Sequence, residues 1–463
     1  MSNSIFDWFR LIAENAWLYG GAFILVLSIL VFVHEWGHYI IARACKVKIE
    51  SFSIGFGKEL FGITDKNGTR WKFSLIPLGG YVKMYGDTDP ASTGHVSDVE
   101  DEVSKQVRPM TVEEKAGAFY SKPVAQRFAI VLAGPAINFL FAIVLLAGLY
   151  SFYGQPVTPP VASAVMGGSA AEKAGFLPHD EVVMIDGKKV RRFEDIRREI
   201  LVGLDTERTF TVLRAGEQVD ILAAPERLVD EDRFGFKHSR GLLGLVSPGN
   251  AIEIARITAV ERQSFEDPEL LHLALVERLD TTFTISLDRG PEVSDIVINP
   301  LKAFNPNITD LESLDSKILD ISDRADEVFV RHGPLQSIGE ATNETIHITM
   351  STLKAMGQMI TGARSATELG GIIRIGAIAG DMAQTGLIAL ITFTALLSIN
   401  LGLINLFPIP MLDGGHLFFY IIEAVKGSPI SEQIQEYAFR LGLAILVGIM
   451  LFANLNDIVQ LIL

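Results

Sequence analysis

Long apolar runs alternate with polar stretches along this chain. Four runs reach, or nearly reach, the roughly 20 apolar residues that cross a bilayer. They are 18–44, interrupted by His34, Glu35 and His38; 124–150, with Arg127 as its one charge; 387–407, with none; and 441–463, with Asp457 alone. The pattern predicts four membrane helices. The first run is too long for a secretory signal peptide, has Arg10 as the only base on its N-terminal flank and carries polar residues inside it. Around Pro77, Gly79 and Gly80, the segments Arg70–Ile76 and Tyr81–Met84 have strand character. Residues 345–360 are amphipathic and contain Met350, Met356 and Met359, as in a helix lying at a membrane surface, with methionines that pack rather than bind copper.

Between the second and third runs the periodicity changes. Asp186-Gly187 marks a tight turn between strands, Phe193 to Leu204 has helical spacing, and Thr209 to Leu213 alternates like a strand. Part of this pattern recurs. Phe193-Glu-Asp195 returns as Phe265-Glu-Asp267, Arg208–Val212 matches Thr281–Ile285, and Gly216 matches Gly290.

Composition sharpens this picture. The 463 residues are 49% hydrophobic and 21% charged, with mean hydropathy +0.31, too apolar for a disordered chain. A net charge of −15 and a pI near 5.1 argue against a nucleic-acid partner, which needs a basic face. One cysteine, Cys45, rules out an internal disulfide or a thiolate zinc cluster. Residues 151–334 hold 32 acids and 21 bases, a balance of −11, whereas residues 1–150 are balanced at 14 of each. Arg43, Lys46 and Lys48 follow the first helix, Lys115, Lys122 and Arg127 precede or open the second, and no base follows the second until Lys173. This asymmetry makes the first loop cytoplasmic and puts both termini and the acidic block outside.

The informative chemistry lies inside the first apolar run. His34 and His38, four residues apart, share one helix face and suit two nitrogen ligands of a tetrahedral zinc, with Glu35 beside them as general base. Ionisable groups in a membrane helix are costly and mark function rather than packing. A catalytic zinc needs a third protein ligand and an open position. Cys45 is one candidate. Asp413, in Asn405-Leu-Phe-Pro-Ile-Pro-Met-Leu-Asp-Gly-Gly-His416, is a better one, because Pro408 and Pro410 break the helix there and Gly414 and Gly415 loosen the chain beyond it. His416 as a fourth ligand would close the site, and it reads as structural.

These two motifs resemble those of the site-2 protease family of intramembrane zinc metalloproteases. Phe52–Gly57, Pro77–Lys83 and Gly134–Phe139 agree, so the likeness covers most of 20–175 and 335–463. The resemblance implies one Zn2+ per chain on His34, His38 and Asp413, with Glu35 as catalytic base. It places Asn405, and less strongly Asn400, at the oxyanion. It makes the region of Gly79 and Gly80 a membrane-inserted β-hairpin whose edge pairs with substrate. Gly168–Phe176 and Ile185-Asp-Gly187 in turn resemble a bacterial-type PDZ domain, in which Leu243, Gly244 and Leu245 receive a peptide; a spacer that only occludes the membrane face is the plainer reading.

The expected fold is therefore a multi-domain membrane protein: a four-helix transmembrane α bundle with a membrane-associated β-hairpin and β-rich, PDZ-like extracytoplasmic domains. Its parts are a membrane catalytic half (1–150), a PDZ-like domain (156–249), a degenerate second PDZ-like domain with linker (250–334), and the surface helix with membrane helices three and four (335–463). The expected partners are the lipid bilayer, membrane-protein or peptide substrates already trimmed by an upstream site-1-type protease, and no nucleic acid. By resemblance the substrates are anti-sigma factors or remnant signal peptides, and the location is the bacterial inner membrane. A non-proteolytic scaffold that binds peptides through the PDZ-like domain is the alternative. A metal transporter is disfavoured, because the polar residues cluster at one depth and form no path across.

Overall fold

The computed structural model describes residues 3–462 apart from 87–97, 101–106, 233–234, 266, 289–292, 309–317 and 323–327. The repeat positions at 266 and Gly290 fall outside the described residues. Among the described residues, four helices are long and apolar enough to cross a membrane, over Trp17–Ala44, Val124–Phe152, Leu387–Asn405 and Gln433–Gln460. The fourth thus begins earlier than its apolar run, because the helix continues unbroken through the polar turn that precedes it. These spans lie in helices α1 (Asn3–Ala44), α2 (Val124–Phe152), α7 (Leu387–Asn405) and α9 (Glu432–Ile462). Between them run α3 (Phe193–Leu201), α4 (Pro268–Val276), α5 (Pro334–Ile360), α6 (Ile372–Thr385) and α8 (Asp413–Lys426).

Small residues set the bundle. Apolar side chains gain little by leaving lipid for one another, so close backbone approach has to carry much of the packing. A Cβ on Gly37 of α1 would lie 2.8 Å from the Ile137 side chain and 2.8 Å from the Ala133 backbone carbon on α2. On the other side of α2, a Cβ on Gly402 of α7 would lie 3.0 Å from the Pro135 carbonyl. Helix α2 is thereby clasped by its two neighbours, and Ser398 of α7 donates to the Asn138 carbonyl at 2.8 Å.

The segment expected as a simple hairpin is folded twice. Strands β1 (Ile49–Thr64) and β2 (Arg70–Met84) are each doubled back on themselves. Ser51 to Ile54 pair with Arg70–Phe73 on one side and with Gly80–Lys83 on the other, while Phe61 to Thr64 pair with Phe73–Arg70. Four short strands result, in the order 61–64, 70–73, 51–54, 80–84. The bends fall where left-handed backbone is needed, at Gly55 (φ +91°) and Gly57 (φ +85°) in β1 and at Gly79 (φ +132°) in β2. Phe52 stacks on Trp71 with centroids 4.4 Å apart, anchoring the base of the sheet, while Phe56, Leu60, Phe61, Ile63, Leu75 and Ile76 are exposed. An exposed apolar fringe on a sheet beside membrane helices is the surface expected of a lipid-inserted segment.

The two main sheets of the β-rich block are built from β3 (Ala164–Met166), β4 (Glu181–Ile185), β5 (Lys188–Lys189), β6 (Arg208–Arg214), β7 (Glu217–Ala223), β8 (Leu245–Val246), β9 (Ile257–Val260), β10 (Gln263–Ser264), β11 (Phe283–Asp288) and β12 (Val293–Ile298). One sheet has the order β7-β6-β4-β5, with α3 between β5 and β6. The other runs β8-β3-β12-β11-β9-β10, with α4 between β10 and β11. The β12-β11-β9-β10 part repeats the order of the first sheet, the structural counterpart of the recurring sequence pattern. Strands β3 and β8 extend this sheet beyond the repeated part, and the paired segments 251–253 and 318–320 add Ile252 and Leu319 to its core. Alternation along β3 serves both cores: Ala164 packs with the second unit and Val165 with the first.

Helix α5 starts well before the amphipathic stretch at 345–360. Ser337, Ala341 and Thr345, at four-residue spacing, are buried on one face, and Ser151 of α2 donates to Ser337 at 2.8 Å. Met350 is exposed on the opposite side rather than packed within the chain. Glu344 ties this helix to the first β unit. Its two oxygens accept from Arg192 and Arg198 of the α3 segment at 2.5 Å each, at the edge of a cavity of about 560 Å3. All three side chains are less than a fifth exposed, so loss of the carboxylate leaves two guanidinium groups poorly solvated. Glu344→Gln is expected to weaken the junction by about 1–3 kcal/mol. Faster amide exchange over 192–201 and 340–347 is the signature, and unchanged exchange in both segments would refute the coupling.

Candidate metal centre

The i, i+4 spacing on α1 carries His34 and His38 to the same face, with ring centroids 4.9 Å apart. His38 Nδ1 lies 2.9 Å from the Ile130 carbonyl of α2, which can only accept, so Nδ1 carries the hydrogen and Nε2 is free to coordinate. His34 Nδ1 lies 3.1 Å from the Asn138 side-chain amide. Room for both rings comes from Gly134, since a Cβ there would collide with His38 and lie 2.9 Å from His34 Cε1.

The third group arrives from far along the chain. Helix α7 ends at Asn405, the Pro408-Ile-Pro410 segment cannot continue it, and α8 begins at Asp413 itself. Met411 takes a left-handed φ of +87° to turn the chain. Gly414 and Gly415, expected to loosen this segment, instead tighten it. Both are helical, and Cβ atoms there would lie 2.5 Å from the Leu406 carbonyl and 2.6 Å from the Ile409 carbonyl. The loop folds down onto the start of α8 and holds Asp413 against α1.

His34 Nε2 and His38 Nε2 are 3.3 Å apart, and Asp413 Oδ2 lies 3.1 Å from the first and 3.5 Å from the second. Ligands about 2.0–2.1 Å from a tetrahedral zinc stand roughly 3.3–3.4 Å from one another. The triangle fits. Asp413 Oδ2 is also buried without a hydrogen-bond partner, as expected where both facing imidazole nitrogens lack hydrogens. Among the described residues these three form the one group of His, Cys, Asp or Glu side chains placed to hold a metal ion.

The other sequence candidates divide. Cys45 lies seven residues beyond His38, about 10 Å along a helix axis, and packs beside the apolar cluster at the foot of α1. His416 lines the cleft and packs at a tilt against Phe439 with centroids 5.0 Å apart, outside the triangle. Glu35, Gly80 and Asn405 line the same cleft, of about 210 Å3. Gly80 is close to α1, because a Cβ there would lie 2.6 Å from Val31 and 3.2 Å from Glu35 Cγ. Gly79 makes the bend beside it. Asn400 is elsewhere: it accepts a hydrogen bond from Thr352 of α5 at 3.3 Å. In the β block, Leu243 is buried in the first unit's core, Gly244 takes φ +99°, and Leu245 pairs with Val165. Any peptide contact at 243–245 therefore falls to backbone and to Leu245, not to the Leu243 side chain.

The supports of the site carry no motif in the sequence. Arg127 at the start of α2 donates to Glu423 of α8 at 2.6 Å and sits over the Tyr420 ring, 4.9 Å from its centroid, fastening the helix that bears Asp413. Asp457 stands in the sequence only as a charge intruding on the last apolar run. In the fold it caps α6, accepting from Gly371 N at 2.9 Å and Arg374 N at 3.0 Å, beside Asn454, which accepts from Ile372 N.

Comparison with known proteins agrees with this geometry. The family model described as peptidase family M50 matches residues 22–449. The chain belongs to peptidase family M50. It is 33% identical to the regulator of sigma-E protease RseP of Escherichia coli over 94% of this chain and 97% of that protein. It is 34% identical to the regulator of sigma E protease of Haemophilus influenzae, over 95% and 98%. A protein of Agrobacterium fabrum that carries a zinc metalloprotease name is 38% identical over 95% of each chain. As an M50 member, the chain is a zinc metalloprotease of the site-2 type.

A metal ion on His34 and His38 would need both imidazoles held in place, and Gly134 is the backbone feature that leaves room for them. Gly134→Ala is expected to push the two rings apart and lower bound zinc at least tenfold, read by metal analysis of purified protein. Parental zinc content in that variant would contradict the packing argument.

Proposed function

We propose that this chain is an intramembrane endopeptidase that hydrolyses peptide bonds within membrane-spanning segments of pre-trimmed proteins. What carries the reading is the Nε2, Nε2, Oδ2 triangle beside Glu35 in a cleft formed between membrane helices and an edge strand. His34, His38 and Asp413 would hold Zn2+. Zinc supplies a Lewis acid that makes water nucleophilic near neutral pH and polarises the scissile carbonyl. Glu35 takes the proton of the attacking water and returns it to the departing amine. Asn405, at the end of α7 and lining the cleft, donates its amide to the developing oxyanion.

A helical substrate hides its carbonyls and has to be drawn out before it can be cut. Strand 80–84 is suited to receive it. One side pairs with 49–54, and Gly80, Tyr81, Val82 and Met84 line the cleft. An extended segment added to that edge would lie along the metal centre, with main-chain hydrogen bonds supplying grip and little sequence preference.

Placement and substrates rest on the charge pattern of the sequence and on the RseP likeness. The chain lies in a bacterial inner membrane, with the basic first loop cytoplasmic and the acidic β block outside. The two β units are PDZ-like, the first complete and the second degenerate. Substrates are anti-sigma factors or remnant signal peptides, delivered by an upstream protease. Glu35→Gln is expected to retain zinc while cleavage of a tagged membrane substrate in proteoliposomes falls about 10²–10⁴-fold. Asp413→Ala is expected to lose both zinc and cleavage. Activity surviving in Glu35→Gln would end the proposal.

A further inference from the structure

The histidines of the metal centre are held at their outer nitrogens by different devices, a backbone carbonyl for one and a side-chain amide for the other. His38 Nδ1 meets a backbone carbonyl at 2.9 Å. His34 Nδ1 meets Asn138 Nδ2 at 3.1 Å, while Asn138 Oδ1, in a residue with 0% exposure, is buried without a partner. With His34 Nε2 turned toward the other two ligand atoms and bare of hydrogen, a neutral ring carries its hydrogen on Nδ1. Two donors would then face each other and an acceptor would go unused, an arrangement that buried amides avoid. A half-turn of the amide gives that N–H an acceptor, because it puts the oxygen where the nitrogen stands.

We propose that Asn138 is a positioning residue: its side-chain carbonyl accepts the His34 Nδ1–H and fixes that ring with Nε2 directed at the metal. The inference rests on the reading of His34, His38 and Asp413 as a zinc site. The residue is well placed for the task. It lies one helical turn beyond Gly134, the glycine that admits the imidazoles, and its main chain is held by the Ser398 hydroxyl at 2.8 Å. A ring that ligates through one nitrogen is oriented by what the other nitrogen donates to, and an acceptor there also raises the basicity of the ligand. Ile130 does this for His38 through the backbone, which no substitution removes. For His34 the acceptor is a side chain, so the arrangement can be tested.

The test is zinc affinity of the full-length protein in detergent, by competition with a chromophoric chelator. Asn138→Leu keeps the volume and removes the acceptor; Asn138→Asp keeps an acceptor and removes the donor. Asn138→Leu is expected to bind zinc about 10–100-fold more weakly than the parent, and Asn138→Asp within a fewfold of it. The proposal is overturned if Asn138→Leu binds zinc like the parent, or if Asn138→Asp falls as far as Asn138→Leu. Asp413→Ala separates the two levels of inference: zinc affinity undiminished there means that the metal site itself is misassigned. A measurement on the unmutated, zinc-loaded protein covers variants that fail to fold. ¹⁵N spectra of labelled histidine are expected to show His34 protonated at Nδ1 and metal-bound at Nε2. The reverse assignment would refute the role.

Discussion

The structure depends on how closely α1 can approach α2. Two imidazoles and a carboxylate at membrane depth are sustainable only if protein, not lipid, surrounds them and their outer nitrogens find partners. Gly37 lets the backbones meet and Gly134 leaves the space that the rings fill, while Ile130 and Asn138 of the same helix meet their Nδ1 atoms. Helix α7 closes on the far side of α2 through Gly402, and its broken end delivers Asp413. A larger residue at Gly134 would meet the two imidazoles directly, and one at Gly37 or Gly402 would push the helices apart.

Around that contact, each neighbouring element gives up regularity to reach the centre. The β1–β2 segment folds twice so that its last strand, 80–84, lies in the cleft beside Glu35 while its apolar fringe faces outward. The chain between α7 and α8 abandons helical hydrogen bonding over the proline pair, and the glycines after Asp413 let it pack down again. Such irregular backbone is tolerated because it lies against protein and a cleft. The ion pair from Arg127 to Glu423 and the cap by Asp457 then fasten helices whose own sequences do not specify where they dock.

The β block is connected to this apparatus rather than suspended from it. Its two units meet at β3, so residues on opposite faces of a three-residue strand belong to different cores, although the strand itself is hydrogen-bonded only into the six-stranded sheet. Glu344 joins the first unit to α5, and α5 packs on α2 through small residues.

Local features of the sequence were enough to determine the four spans, the break at Pro408 and Pro410, and the shared face of His34 and His38, because each is set by neighbours within a turn or two of helix. The half-repeat in the β block was legible for the same reason. What the sequence ranked without placing were distant partners: Asp413 ahead of Cys45 and His416, and Asn405 ahead of Asn400; and it read a hairpin where the fold has a doubled sheet. The roles of Asn138, Arg127 and Asp457 gave no periodic signal, since one polar residue in an apolar helix reads the same whether it holds a ligand, an ion pair or a helix end. Those assignments are decided by which helices touch and at what depth, and that is settled by glycine contacts between helices far apart in the chain, such as Gly37 with Ala133 and Gly402 with Pro135.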